Sequence, residues 1–277
     1  MRKLIFVDID GTLMGADQTI PGSAIAACRN ARKNGHLLYI CSGRPFGDIP
    51  DEVKTIGFDG IISAGGARID IKGKTIAQFF LHAGTVARIG AYLDSCKEAF
   101  LFELSDGTVK NKNFESFLEE VRLSPAGKPS KEKTDWIITF FSDVPNARDD
   151  FRRDRVQKIV FFGNRVSFTD MVERFGGECE ICRCSIPSFG TSGGEISPAG
   201  VHKGAAVETV ARHYGIPLCD TIAVGDSDND RRMLESAGIG IAMGNADETL
   251  KAIAGHTTSR LEDDGIEQAF RQCGLIR

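Results

Sequence analysis

Two carboxylates stand two residues apart in Asp8-Ile9-Asp10-Gly11-Thr12-Leu13, directly after the apolar run Leu4-Ile5-Phe6-Val7. On an extended strand, residues i and i+2 face the same side. Asp8 and Asp10 can therefore converge on one small site. Carboxylates that close repel each other unless a proton or a cation lies between them. A set of oxygen donors is what Mg²⁺ prefers, and Gly11 lets the chain turn sharply with no side chain in the way. An Asp-x-Asp pair alone could equally cap a helix. The whole six-residue string after a buried strand is much more selective.

Three further places combine residue types that suit anion or cation chemistry. Cys41-Ser42-Gly43-Arg44-Pro45 follows a second apolar run. Ser42 offers a hydroxyl, Gly43 an unobstructed N–H, and Pro45 can open a helix whose first N–H groups favour an anion. A simple Ser cap explains the same residues, so both readings stay open. Lys203, in Gly200-Val201-His202-Lys203-Gly204, falls at the start of a helical stretch. A cation there opposes the helix dipole unless an anion lies nearby, although a solvated surface Lys is the commoner arrangement. His202 reads as loop packing or solvent contact, not as a base. Gly225-Asp226-Ser227-Asp228-Asn229-Asp230 crowds acids and an amide at the end of another apolar run. Helix capping accounts for some of them; a divalent cation accounts for the cluster.

The elements that must position these residues follow from pattern. Residues 3–8, 36–41 and 60–64 are apolar without alternation, and residues 23–34 have helical spacing before Gly35. Strand-helix-strand order with unalternated strands predicts a parallel sheet covered on both faces. Residues 67–71 and 75–79 flank Lys72-Gly73-Lys74 as a hairpin. From about residue 83 to residue 184 the style changes to α+β. Residues 85–96 and 170–175 read as helices; 100–104, 108–110, 136–141 and 156–162 read as strands. Residues 124–135 read as an exposed loop. The first style then returns: helix 203–214, strand 221–224, helix 229–236, strand 239–243 and helix 248–254. The expected organisation is an α/β, Rossmann-like core of residues 1–82 and 185–277, with residues 83–184 as an inserted domain. Ligand sites in such sheets lie outside the carboxyl ends of the strands, and all four motifs fall there.

The chain has 277 residues, 42% hydrophobic and 26% charged, with a formal net charge of −4. That length supports one or two domains. A mildly acidic chain is a poor generic nucleic-acid binder, and any phosphate site must be built locally. No apolar run approaches the roughly 20 residues of a membrane span, so the expected location is cytoplasmic, as a monomer or small homo-oligomer. Eight cysteines without a secretory signal read as reduced thiols. Cys179, Cys182 and Cys184 lack a nearby fourth ligand for a metal and read as buried small side chains.

At these four motifs the chain resembles the haloacid dehalogenase superfamily of phosphohydrolases, and more narrowly its Cof-type sugar-phosphatase branch. The strings Ala242-Met243-Gly244-Asn245-Ala246 and Glu262-Asp263-Asp264-Gly265-Ile266 are also similar to that branch. The resemblance spans nearly the whole chain and implies a Mg²⁺-dependent phosphatase of small phosphorylated metabolites, sugar phosphates first. It implies Asp8 as nucleophile and Asp10 as general acid, then base. Asp8, Asp226 and the backbone carbonyl of Asp10 would hold Mg²⁺, while Ser42, Gly43, Lys203 and Asn229 would hold the phosphoryl group. Thr12, Arg44 and Asp230 would support them, Asp230 through Lys203 or the cation. The insert would be a substrate-selecting cap. Ser227 stands where the family usually has Gly, which leaves the local backbone open. A phosphomutase sharing the aspartyl-phosphate and a non-catalytic phosphate-ligand sensor are the alternatives. The fate of the phosphate separates the first; the Asp8/Asp10 pair argues against the second.

Overall fold

The structure is a computed structural model that describes residues 2–105, 107–123, 138, 141–148, 150–163, 165–183 and 193–277. The chain divides into two compact units, Met1–Gln78 with Val201–Arg277, and Phe79–Gly200.

The first unit is built on an eight-stranded sheet. Its strands in chain order are β1 (Leu4–Val7), β2 (Leu37–Cys41), β3 (Gly60–Ser63), β4 (Arg68–Ile71) and β5 (Lys74–Gln78). After the second unit come β11 (Thr221–Gly225), β12 (Ile239–Ala242) and β13 (Gly255–Thr257). Their spatial order is β13-β12-β11-β1-β2-β3-β4-β5. From β13 to β3 every pair is parallel; β4 and β5 add an antiparallel hairpin at one edge. β1 is wholly buried because helices cover both faces. Ile5 and Val7 pack with Ala24, Ala27 and Phe270 on one side. Leu4 and Phe6 pack with Val207, Val210 and Met233 on the other. The chain leaves β1 toward β2 and later returns on the opposite side as β11. That reversal of strand order is where open α/β sheets bind ligands.

The second unit holds an antiparallel sheet in the order β7-β6-β8-β10-β9, made of β6 (Phe100–Leu104), β7 (Gly107–Lys110), β8 (Val156–Phe161), β9 (Cys179–Arg183) and β10 (Gly194–Pro198). Phe100, Phe102, Ile159 and Ile196 pack with Val86, Ile89 and Met171 of the helices Ala83–Ser95 and Phe168–Phe175. Leu101 and Val160 pack instead with Phe114 and Phe117 of the helix Phe114–Leu123.

Two expectations need correction. Of the residues expected in the core from 185 on, Gly194–Pro198 form β10, which hydrogen-bonds to β8 and β9 and so belongs to the second sheet. Its apolar pattern looks the same in either sheet, and only pairing decides. Residues 136–141 were read as a strand; most lie outside the described residues, but Ile138 and Phe141 are helical. Phe and Ile fit a pleated surface but also fill a buried helix face. The loop expected at 124–135 and Cys184 of the cysteine cluster also lie outside the described residues. Cys179 is buried and Cys182 half-buried.

Candidate active site

Val7 of β1 registers with Val224 of β11, so the residues just past each strand end lie side by side. Asp8 continues from β1, its backbone N–H donating to Val224 O at 3.0 Å. Gly225 ends β11, and Asp226 follows. Lys203 opens the helix Lys203–Tyr214 and is 1% exposed. Its ammonium Nζ donates to Asp8 Oδ1 at 2.7 Å, to Asp230 Oδ1 at 2.7 Å and to Asn229 Oδ1 at 3.3 Å. The cation at a helix N-terminus, unfavourable by itself, is thus explained by the carboxylates around it. Its neighbour His202 is the cap of that helix: Nδ1 accepts from Ala205 N at 3.1 Å. Histidine is an uncommon cap, and the sequence carried no signal for it.

Asp230 is fully buried, and both its oxygens are committed. Oδ1 meets Lys203, while Oδ2 accepts from the backbone N–H groups of Asp226 and Ser227 at 3.0 and 3.1 Å. Of the two partners expected for Asp230, the contact seen is the one with Lys203. Asp226 has one donor on each oxygen: Thr12 Oγ1 at 2.8 Å to Oδ1 and Asn245 Nδ2 at 3.1 Å to Oδ2. Gly11, at φ +81°, lets the chain pass; a Cβ there would come within 2.2 Å of Asp226 Oδ2.

The departure at Ser227 is harmless to the backbone. Its φ of −127° and ψ of 170° are ordinary extended values that need no glycine, and its side chain completes a capping box with Asp230. Ser42 is buried and its Oγ accepts from Arg44 N at 3.1 Å. That is a local turn one step beyond β2 and not a helix cap, since the following short 3-10 helix starts at Phe46 with Pro45 at its cap position. Arg44 reaches across to Asp10. Nε and Nη2 take both oxygens of the carboxylate at 2.8 and 2.6 Å, and Nη2 also donates to Gln18 Oε1 at 3.2 Å. Asp10 is the exposed member of the pair. Asp8 is 4% exposed. The sequence offered no sign that Arg44 would fix Asp10 and lean on Gln18, because Arg44 comes from the connection after β2 while Asp10 and Gln18 belong to the one after β1.

Carboxylate oxygens of Asp8, Asp226 and Asp230 all lie within 4.8 Å of one another. Against them stands the one ammonium of Lys203. Burial, then the Asp230 charge, pushes the Asp8 carboxyl well above its usual range. Burial, then Asp230, also pushes Asp226 up to about 7. Burial alone would lower the Lys203 ammonium, but Asp230 and Asp8 override it and hold it well above its ordinary value. Fully ionised, the three carboxylates would outweigh the single ammonium of Lys203, and without a cation protons relieve the excess. Oxygen donors in electrostatic surplus fit a hard divalent cation. Asp8, Asp226 and Asp230 form the group that could hold one, and Asp230 is the member most engaged with protein donors.

A cavity of about 380 Å³ lies elsewhere, lined by Arg2, Arg29, Arg32 and His36 among others. It sits at the amino ends of β1 and β2, away from these motifs. Two of its cations have structural work, Arg32 on Asp59 and Arg2 on Gly35 O.

A parallel sheet that carries a carboxylate at the tip of its first strand, paired with a lysine from a much later helix, is the architecture of a haloacid dehalogenase-type hydrolase. Residues 5–270 match the family of haloacid dehalogenase-like hydrolases, and the chain belongs to that family. Among its relatives, the phosphatase YwpJ of Bacillus subtilis (strain 168) is 28% identical over 288 residues, covering 97% of this chain and 99% of that protein. An HMP-PP phosphatase of Klebsiella pneumoniae (strain 342) is 27% identical over 267 residues, covering 92% and 89%. Among solved structures, the haloacid dehalogenase subclass IIB sugar phosphatase BT4131 superposes with a TM-score of 0.81 at 25% identity, covering 99% of this chain and 100% of that one.

Proposed function

We propose that this chain is a phosphatase for small phosphorylated metabolites, sugar phosphates first, that works with Mg²⁺ through an aspartyl-phosphate on Asp8. The family and the phosphatases that resemble it over nearly their full length make the chain a phosphoric monoester hydrolase. The single observation that carries the finer reading is the contact of buried Lys203 with Asp8, beside Asp226 and opposite the exposed Asp10.

The residues divide the work by their surroundings. Lys203 takes Asp8 Oδ1 and leaves Oδ2 as the attacking atom. Oδ2 forms a bond to phosphorus as the ester P–O bond breaks, and Asp10 gives its proton to the departing oxygen. Asp10 then takes a proton from water, the water oxygen bonds to phosphorus, and the acyl-phosphate bond breaks to restore Asp8. Such transfer asks mainly for positioning and charge neutralisation. Lys203, with the Ser42 hydroxyl, Gly43 N–H and Asn229 amide, receives the phosphoryl oxygens in this reading. Asp8, Asp226 and the Asp10 carbonyl hold Mg²⁺, which when bound neutralises phosphoryl charge and screens the attacking carboxylate. The second unit selects the substrate.

Hydrolysis of a phosphate ester made chiral at phosphorus with oxygen isotopes tests the central claim. Two successive in-line displacements, on and off Asp8, are expected to retain configuration at phosphorus, and acid-quenched enzyme is expected to carry the phosphoryl group on the Asp8 peptide by mass spectrometry. Inversion, with no phosphorylated peptide, means that water attacks the ester directly and removes the covalent step. Asp8→Asn is expected to abolish turnover. Asp10→Asn is expected to slow it by roughly 10²–10⁴-fold, the usual scale of general acid–base catalysis. Phosphate returned to another position of the sugar, not to water, would identify a phosphomutase.

A further inference from the structure

Asn245 lies three residues past the end of β12, in a string that none of the roles above uses. β12 runs parallel to β11, with Ala242 in register with Gly225. Met243 N extends that pairing to Gly225 O at 2.9 Å. The turn that follows is pinned by its own backbone: Gly244 N donates to Ser259 O at 3.0 Å and Ala246 N to Met243 O at 3.0 Å. This turn returns the Asn245 side chain to the end of β11. Nδ2 donates to Gly11 O at 3.0 Å and to Asp226 Oδ2 at 3.1 Å. A carbonyl and a carboxylate only accept here, so the amide must face them with its nitrogen. Its other atom, Oδ1, is then buried with no hydrogen-bond partner among the described residues. A buried amide oxygen left unpaired is costly and demands a donor.

We propose that Asn245 is a positioning residue for the divalent cation: Nδ2 fixes the Asp226 carboxylate against the Gly11 turn, and Oδ1 accepts a hydrogen bond from a water that the cation retains. The inference rests on the reading of Asp226 as a cation ligand. Mg²⁺ dehydrates reluctantly and keeps several waters when protein-bound. Groups that orient such ligands and waters hold much of a site's affinity. Thr12 and Asn245 grip Asp226 from opposite oxygens, so loss of either frees the carboxylate to turn. A residue that merely tied two loops together would use Nδ2 alone and would have no need to bury an unpaired acceptor.

Titration calorimetry of the full chain with Mg²⁺ alone tests this. Asn245→Ala removes both polar atoms, and Asn245→Leu does so while keeping the volume. Both are expected to bind Mg²⁺ about 10–100-fold more weakly, the usual effect of losing such an orienting partner. The melting temperature without cation should fall only modestly, because Gly11 O and Asp226 Oδ2 lose a donor, and turnover should recover as Mg²⁺ is raised. Wild-type affinity in both variants overturns the proposal. So does turnover in both that added Mg²⁺ does not restore, because Asn245 is then only a structural tie. Wild-type protein that fails to bind Mg²⁺ overturns the reading of the site itself, and this inference with it.

Discussion

Asp226 shows how much a carboxylate's behaviour depends on its neighbours. Two hydrogen bonds favour its charge, yet burial and Asp230 win and raise it to about 7. In an unfolded chain an aspartate titrates near 3.9. Folding without cation therefore favours the protonated form. That contribution is complete below about pH 4 and is lost as the pH rises through about 7. Between pH 6 and pH 8 the cation-free protein should melt at a lower temperature as the pH increases, and Asp226→Asn should flatten this dependence. A cation reverses the sign, since it requires the ionised ligand. Mg²⁺ should therefore raise the melting temperature more at pH 8 than at pH 6. Thermal scans with Mg²⁺ and with chelator check this; equal shifts at the two pH values would take Asp226 out of the cation site.

At the scale of elements, the site is a set of strand ends and helix starts. β1 and β11 bring Asp8 beside Asp226, and the helix Lys203–Tyr214 inserts Lys203 between Asp8 and Asp230. The turn after β11 is held by Asp230 as much as by Ser227. Asp230 Oδ2 takes two backbone N–H groups, while the Ser227 hydroxyl donates to Asn229 Oδ1 at 2.8 Å. Ser227→Gly should therefore cost only a few tenths of a kcal/mol, as for other Ser-to-Gly cap changes. Its turnover should match wild type closely. Chemical denaturation and steady-state kinetics measure both. A large loss would show that the hydroxyl, through Asn229, orders the phosphoryl contacts. Asp230→Ala should be far more damaging. It removes one of the carboxylates facing a lysine that is 1% exposed and orphans two backbone donors, in the range of about 3–5 kcal/mol for breaking a buried ion pair.

The whole molecule separates into a unit that carries the reactive residues and a unit with its own sheet and cores. None of the candidate site residues lies in Phe79–Gly200. Among the described residues no helix is long and apolar enough to cross a membrane. If the second unit selects the substrate, substitutions there should reorder a panel of phosphorylated metabolites. Activity toward p-nitrophenyl phosphate, which has little to recognise beyond the phosphoryl group, should persist. An acid or histidine of the second unit that proved essential for p-nitrophenyl phosphate as well would end that division of labour. The second unit also contains a buried charge row. Lys158, 3% exposed, faces Glu195 at 3.0 Å and Glu103 at 3.2 Å across neighbouring strands. Such a row stabilises only while both signs are present.

The sequence by itself determined the local elements and the inventory of reactive groups. Unalternated runs such as Leu4–Val7 identify doubly covered strands, because burial on both faces selects apolar residues at every position. The acid strings were legible because Asp, Gly and Asn at a strand end are poor core residues with few other uses. Tertiary structure alone decided partners. Lys203 meets Asp8 across 195 residues of chain and Asn245 meets Gly11 across 234, and no local pattern encodes such distances. It also decided what the free residues do: His202 became a cap, Ser227 a member of a capping box, and Arg44 a clamp on Asp10. Strand pairing moved β10 into the second sheet for the same reason. A side chain's chemistry is a property of its type, but its charge state and its task come from the groups that folding brings against it.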